Sequence, residues 1–157
     1  ICGVSFSNTS SGQNHFFFGN TNGNTGSINT SGSGCTFNSL SDYRKKENVI
    51  PISDAEDRLN KLKPSRFNFI SDKSVTLDGF LAHEVSDVVP EAVVGEKDAV
   101  VTQEMIDSGD YKPEKLNDPI YQQLDTTKLI PLLTAALQEA ITEIETLKAK
   151  VAALEGS

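Results

Sequence analysis

The clearest hydrophobic pattern lies in the last thirty residues. When Ile130 is placed at heptad position a, every a and d position over four heptads is apolar. Position a holds Ile130, Leu137, Ile144 and Val151, and position d holds Leu133, Ala140, Leu147 and Leu154. Pro131 suits the first turn of a helix, where its missing N–H is not needed. The pattern predicts a long helix, and it favours coiled-coil self-association over an amphipathic helix packed on its own domain.

The heptads leave open how many chains such a coiled coil contains. Glu143 at position g and Lys148 at the following e position fit a parallel arrangement. Ile or Val at a with Leu at d favours dimers. Strand-rich fibre stems, by contrast, commonly need three chains to close, so dimer and trimer both remain open at this point.

Two short helices are predicted before this long one. Ser53 and Glu56 have the spacing of a capping box, and apolar residues follow at helical spacing until Pro64 ends the run. This predicts a helix over roughly residues 54–62. The stretch "AHEVSDVVPEAVV" predicts a second short helix that ends at Pro90.

The same region contains a hairpin signal. "RFNFI" and "SVTLDGFLA" read as paired strands, with Phe67 and Phe69 on one face and Asn68 on the other. A further strand is predicted over about residues 92–101. Residues 103–120 carry Pro, Gly and Asp at turn positions and are predicted to form a loop. Together these elements predict a small mixed α+β unit.

The first forty residues have a different pattern, in which short apolar groups are separated by small polar residues. Of these forty, 27 are Gly, Asn, Ser or Thr. Among them lie Ile1, Val4, Phe6, Phe16, Phe17, Phe18, Ile28 and Phe37. This predicts short strands joined by tight turns such as Asn22-Gly23. Because so short a piece cannot bury its own apolar faces, it is expected to be the end of a longer fibre stem or to be wrapped with copies of itself.

Charge is confined to the rest of the chain, because every Lys, Arg, Asp and Glu lies after Leu40. The net charge of -8 argues against nucleic acid as a partner, since such binding depends on basic side chains that neutralise phosphates. No run of eighteen apolar residues and no basic region followed by an apolar one is visible. A soluble protein without a membrane partner is therefore expected.

The two cysteines, Cys2 and Cys35, both lie in the uncharged segment. Their spacing fits no metal motif and does not require a disulfide. We expect two buried free thiols, with no metal and no cofactor.

Ser41 and Lys46 form the candidate catalytic pair, at the point where charge begins. A desolvated lysine can lose its proton and act as a general base, and Ser/Lys dyads are a known form of nucleophilic catalysis. Ser39 and Arg44 have the same spacing, but arginine stays charged and cannot supply a base. Lys45 is a less favoured alternative to Lys46.

Regular secondary structure does not bring this pair together. Five residues of α-helix turn through about 500°, which leaves the side chains roughly 140° apart, and five residues of strand put them on opposite faces. The segment must therefore bend, or the lysine must come from a neighbouring copy of the chain. His15 and His83, the only histidines, give no convincing Ser-His-Asp alternative. On spacing alone, a solvated surface is the usual interpretation.

Three ordered blocks resemble a known family. "SDYRKKENVI", "LDGFLAHEVSDVVPEAV" and "LDTTKLIPLLTAALQEAI" are similar to the self-cleaving C-terminal intramolecular chaperone domain of bacteriophage tailspikes and tail fibres, including endosialidases. The first block carries the family pattern at Ser41, Asp42, Arg44, Lys46, Asn48 and Val49. The similarity spans Ser41 to about Leu154, with His83 where glutamine is usual. The domain type also occurs in membrane-bound transcription factors similar to the myelin regulatory factor, but the Gly/Asn/Ser-rich stem fits a phage fibre better.

The resemblance implies an architecture and a location. It implies an α+β chain that forms an intertwined homotrimer, with residues 1–40 as the end of the fibre stem and residues 41–157 as the chaperone. The chaperone would comprise a globular part, 41–125, and a coiled-coil helix, 126–157. Its partners would be copies of itself and the upstream stem of the same polypeptide. The chain would be a tail fibre or tailspike precursor assembled in the host cytoplasm.

The resemblance also implies a reaction, cleavage of the bond between Leu40 and Ser41. Ser41 would attack the carbonyl carbon of Leu40, and Lys46 would take the serine proton once burial favours its neutral amine. Asp42 and Glu84 are candidates for orienting the lysine or water, and structural salt bridges explain both equally well. Two alternatives remain, a trimerisation domain that does not cleave and a receptor-binding fibre tip. The absence of Trp and the presence of only three Tyr count against a sugar-binding platform.

Overall fold

The computed structural model describes residues 3–4, 13–21, 23–31 and 33–156. It divides the chain into two compact units, Ile1–Ile50 and Pro51–Ser157. The predicted mixed α+β class is confirmed, with small antiparallel sheets and a long C-terminal helix. The predicted boundary between Leu40 and Ser41 concerns the expected cleavage position and stays a prediction.

The first unit contains a four-stranded antiparallel sheet whose strands lie in sequence order. They are β1 (Gly3–Val4), β2 (Gln13–Asn20), β3 (Gly23–Ser31) and β4 (Gly34–Ser39). Gly23 opens β3 with a φ of 99°, a conformation that glycine adopts without steric cost. The short strands predicted from the sequence are confirmed for the described residues, whereas Asn22 of the predicted Asn22-Gly23 turn lies outside them.

The two faces of this sheet differ in polarity. Phe16, Ile28 and Phe37 are partners in register across β2, β3 and β4, and they form an apolar row in which Phe37 is 80% exposed. Successive side chains of a strand point to opposite faces, so Asn29 and Asn38 lie on the other side. There the amide of Asn38 donates to the side-chain oxygen of Asn29 at 2.7 Å. Amide and hydroxyl side chains of β3 and β4 thus contact one another on one face, which also carries Phe17 of β2, and the row of Phe16, Ile28 and Phe37 lies on the other.

The expectation of buried thiols is wrong for Cys35, which is a free, exposed cysteine. It lies on β4, the edge strand of the sheet, where all six residues are exposed. Small neighbours in a thin sheet supply no core for the thiol to enter. Cys2 lies outside the described residues.

The second unit consists of short elements followed by one long helix. They are α1 (Ala55–Leu59), β5 (Ser65–Phe69), β6 (Asp72–Gly79), α2 (Ala82–Ser86), β7 (Val93–Val94), α3 (Gln103–Asp107), β8 (Gln123–Leu124) and α4 (Ile130–Glu155). Single 3-10 turns cover Pro90–Ala92, Pro113–Lys115 and Thr126–Leu129. The two predicted short helices exist, and the second ends before Pro90 as expected.

The predicted hairpin is confirmed as the antiparallel pair β5–β6. Phe67 and Phe69 share a face, because their rings meet edge to face with centroids 5.5 Å apart. The amide of Asn68 instead donates to the carbonyl of Val75 at 2.8 Å. A register shift between Asn68 and Phe69 marks a bulge near the turn.

The apolar core of the second unit forms where the start of α4 meets α1, α2 and the two adjacent 3-10 turns. Its buried members are Ala55, Leu62, Val85, Val89, Ala92, Leu129, Leu132 and Ala136. No polar or charged side chain is buried among the described residues. This core fixes the first turns of α4 on the globular part.

The predicted capping box is wrong. Asp54, not Ser53, is the N-cap of α1, and its side chain makes no capping hydrogen bond. Glu139 of α4 supplies the cap instead, since its carboxylate accepts from the backbone N–H of Ala55 at 3.1 Å and of Glu56 at 2.9 Å. The helix is also shorter than predicted and ends at Leu59.

The strand predicted over residues 92–101 is mostly absent. Only β7, two residues long, pairs with β8. Gly95 (φ 91°) and Asp98 (φ 58°) have positive φ values, which turn the chain out of the extended conformation. Val100 then makes an isolated bridge with Pro119.

The segment predicted as a loop, residues 103–120, contains the helix α3, which the sequence pattern did not predict. Thr102 caps α3 by accepting a hydrogen bond from the backbone N–H of Met105 at 3.4 Å. A 3-10 turn over Pro113–Lys115 follows. The rest of the segment lacks regular structure, so the loop prediction holds only in part.

The long C-terminal helix is confirmed, and it carries two different faces. Leu132 (3% exposed) and Ala136 are buried against the domain. The a and d side chains lie on another face, where Ala140 is partly buried and the others are exposed, among them Leu133 at 48%. The helix thus packs on its own domain and still leaves most of its heptad seam, the row of a and d side chains, uncovered by the rest of the chain. In the described part of the chain, no helix is long and apolar enough to cross a membrane.

Candidate functional site

The candidate site begins one residue beyond the sheet of the first unit. Ser39, the last residue of β4, pairs with Gly26 of β3. The backbone N–H of Leu40 then donates to the carbonyl of Thr25 at 2.9 Å, which continues the pairing for one more residue. Leu40 is therefore held by the sheet, and Ser41 is the first residue released from it.

A tight turn follows Ser41. Residues Tyr43–Lys45 form a 3-10 turn with Asp42 as its N-cap. The backbone N–H of Lys45 donates to the carbonyl of Asp42 at 3.1 Å, and that of Lys46 donates to the carbonyl of Tyr43 at 3.0 Å. A 3-10 turn needs only three residues per revolution, so it reverses the chain within a short distance.

This turn brings the two sequence-predicted residues into contact within one chain. Lys46 Nζ donates to Ser41 Oγ at 2.8 Å. Of the two routes that the spacing left open, a bend or a lysine from a neighbouring copy, the structure shows the bend. The distance lies in the range of a direct proton transfer between nucleophile and base.

The pair is hydrated in a single chain. Ser41 and Lys46 are both exposed, and so are the neighbouring apolar side chains of Tyr43, Val49 and Ile50, each at least 80% exposed. Both polar groups are therefore in contact with bulk water as well as with each other. The turn therefore supplies the geometry of a dyad, while the single chain does not supply a dry environment.

Asp42 is engaged by Arg44. Its Oδ1 accepts from the backbone N–H of Arg44 at 2.9 Å and from Nε at 3.0 Å, and its Oδ2 accepts from Nη2 at 2.6 Å. The side-chain hydrogen bonds from Arg44 hold the pKa of Asp42 below its usual value, and they raise the pKa of Arg44 in turn. Arg44 cannot serve as a base, but it binds Asp42, and the Asp-x-Arg spacing is the sequence signal for this contact.

Glu84, the other candidate supporting residue, lies on α2 in the second unit. Its Oε1 accepts from Lys63 Nζ at 3.1 Å, which is a salt bridge of the kind considered from the sequence. His83 precedes it on the same helix. Among the described residues, no group of three or more His, Cys, Asp or Glu side chains could hold a metal ion.

A comparison with protein families identifies the segment that contains this site. Residues 41–94 match the model of the family Peptidase_S74, described as chaperone of endosialidase. Over these residues the chain is similar to the endosialidase chaperone family. The match begins at Ser41, the candidate nucleophile, and it includes Lys46 and Glu84. The chain matches no curated protein.

Proposed function

We propose that residues 41–157 are an intramolecular chaperone that assembles three copies of the chain and registers the upstream stem of a phage tail fibre or tailspike. The chaperone then cuts the bond between Leu40 and Ser41 and is released, while the precursor is still in the host cytoplasm. One observation carries the proposal. Lys46 Nζ lies 2.8 Å from Ser41 Oγ at the first residue of the family match.

The proposed reaction is an acyl shift followed by hydrolysis. Ser41 Oγ attacks the carbonyl carbon of Leu40 while neutral Lys46 takes the hydroxyl proton. The C–N bond of the peptide breaks, its nitrogen receives a proton, and the Leu40 acyl group is left as an ester on Ser41. Water then hydrolyses the ester, which gives a carboxylate on Leu40 and restores the Ser41 hydroxyl, while Ser41 keeps the amino group that the acyl shift freed.

Assembly would activate the pair by removing water. Burial favours the neutral amine of a lysine over its ammonium form, and the neutral amine is the form that can act as a base. Tyr43 in the turn and Val49 and Ile50 after it have exposed side chains, so neighbouring chains that cover them would also exclude water from Ser41 and Lys46. Cleavage would then follow correct assembly.

The seam of α4 supports self-association. Each large apolar a or d side chain is worth about 1.5–3 kcal/mol when fully buried relative to full exposure. Those of Leu137, Ile144 and Leu147 are about half exposed or more in the single chain. Burying this seam against copies of itself is the simplest way to cover it, and Leu132, on a different face of α4, keeps each helix attached to its own domain.

Cleavage after assembly has a kinetic purpose. Strand-rich stems depend on pairings between chains, which form slowly and expose edges to wrong partners. A clamp at one end raises the effective concentration of the other chains and fixes their register. Its later removal deletes the easiest starting point for unfolding, so the fibre gains kinetic stability without any new contact.

Intact mass under denaturing conditions tests the proposal. The wild type should give two fragments that divide after Leu40, and Ser41→Ala should give one full-length chain. Lys46→Ala should also stay intact, whereas Ser39→Ala, a matched loss of a serine hydroxyl two residues earlier, should cleave like the wild type. A wild type that assembles but stays full length would favour a trimerisation domain without protease activity. An uncleaved wild type that binds a host glycan would favour a receptor-binding tip.

A further inference from the structure

We propose that Arg44 protects the candidate base by keeping the Asp42 carboxylate away from Lys46. This inference rests on the proposed function, since it concerns how the same site controls its cleavage rate. Arg44 would be a positioning residue that acts through Asp42 and touches neither Ser41 nor the scissile bond.

The contacts of Asp42 support this role. Both of its carboxylate oxygens accept from the Arg44 guanidinium, at 3.0 Å and 2.6 Å. Such bidentate pairs combine strength with a fixed geometry. Because arginine does not lose its proton in proteins, the pair persists at any pH at which Asp42 is ionised.

Few charged groups lie in the first unit, and Asp42 is the carboxylate that Arg44 has to keep from Lys46. They are Asp42, Arg44, Lys45, Lys46 and Glu47, because no charged residue precedes Leu40. The remaining titratable side chains of that unit are Tyr43, Cys35, His15 and Cys2. Asp42 directly follows the nucleophile and caps the turn that ends at Lys46. It is therefore the carboxylate closest in sequence to Ser41.

An unpartnered Asp42 would oppose the reaction in two ways. A carboxylate near an ammonium stabilises the charged form, so Lys46 would keep its proton to higher pH. An ion pair with Asp42 would also draw Lys46 Nζ away from Ser41 Oγ. Both effects would grow as neighbouring chains remove water from the site, because charges interact more strongly in a low-dielectric environment.

The pairing of Arg44 with the Asp42 carboxylate can be tested separately from the capping of the 3-10 turn by Asp42. Asp42 Oδ1 also accepts from the backbone N–H of Arg44 at 2.9 Å, and that contact does not need the arginine side chain. Arg44→Gln therefore frees the carboxylate while the backbone cap stays available. Asn is as good a cap as Asp, so Asp42→Asn removes the charge and keeps the cap.

The experiment follows cleavage against time and pH for four chains: the wild type, Arg44→Gln, Arg44→Lys and the double variant Asp42→Asn/Arg44→Gln. Each full-length chain is refolded by dilution from denaturant, fragments are quantified by intact mass, and trimer formation is measured separately by size. Arg66→Gln is the matched control, because it breaks another exposed bidentate pair, with Asp78 on the β5–β6 hairpin.

We expect Arg44→Gln to cleave about tenfold more slowly at neutral pH, with the midpoint of its pH–rate profile about one unit higher, as for a lysine that gains an opposite charge. The double variant should return the midpoint to that of the wild type, and Arg44→Lys should lie between the two. Arg66→Gln should match the wild type.

Several outcomes would overturn this inference. One is an unchanged midpoint in an Arg44→Gln chain that forms trimers, and another is a double variant whose midpoint stays as high as that of Arg44→Gln. If wild type cleaves after Leu40 and Ser41→Ala does not, either result refutes the role of Arg44 and leaves the proposed function intact. A wild type that assembles without cleaving refutes both.

Discussion

Glu139 on α4 should matter for stability far more than an ordinary exposed glutamate, because it caps a helix that is 83 residues away in sequence. Its two carboxylate oxygens accept from the backbone N–H groups of Ala55 and Glu56. The helix α1 has five residues and receives no cap from the side chain of Asp54. We therefore predict that Glu139→Gln and Glu139→Ala destabilise the second unit.

The magnitude follows from the two hydrogen bonds. A side-chain cap is worth about 1 kcal/mol, and a hydrogen bond to a charged group about 1.5–3 kcal/mol. Gln keeps one carbonyl oxygen and can satisfy one of the two amides, so Glu139→Gln should cost about 1 kcal/mol. Ala satisfies neither amide, and Glu139→Ala should cost about 2 kcal/mol.

Thermal unfolding at matched protein concentration measures the loss of stability, and amide hydrogen exchange shows which part of the chain is destabilised. The amides of Ala55 and Glu56 should exchange faster in both variants. Glu145→Gln is the control, because Glu145 is exposed on the same helix at heptad position b. Equal melting temperatures and equal amide protection for Glu139→Gln and Glu145→Gln would refute the capping role.

Two further predictions concern the faces of α4 and the acid limb of stability. Leu132→Ala removes a side chain that is 3% exposed and should cost about 2–5 kcal/mol, whereas Leu133→Ala should keep the fold, seen by circular dichroism, and weaken assembly, seen by sedimentation. Arg66 lowers the pKa of Asp78, so the stability from that carboxylate is present above its unfolded value of 3.8 and is lost as pH falls through the lower folded value. Asp78→Asn should therefore flatten the decline in melting temperature below that pH.

The sequence predicted best where the signal is local and repeated. The helix α4 follows from apolar residues that recur through four heptads, and it starts at Ile130, the first heptad position, whereas residues 126–129 of the predicted helix form a 3-10 turn. The hairpin β5–β6 follows from the alternation around Phe67 and Phe69. In each case the residues that decide the structure lie within the element itself.

Contacts between distant residues account for what the sequence did not show. The cap of α1 comes from Glu139, which no local window around Ser53 contains. The strand after α2 ends at Val94, because the next residue, Gly95, has a positive φ that turns the chain out of the extended conformation. For the site, the spacing selected Ser41 and Lys46, but only the capped 3-10 turn shows how they meet.

The hydrogen bond from Leu40 to Thr25 would determine the state of the new end if the proposed cleavage occurs. If the chain is cut after Leu40, the new carboxyl terminus is already paired with β3 and has no loose tail. Carboxypeptidases need an extended, accessible end, and a paired terminal residue denies them one. The cut stem would then end at a residue that is paired in the sheet, and this end would resist carboxypeptidases.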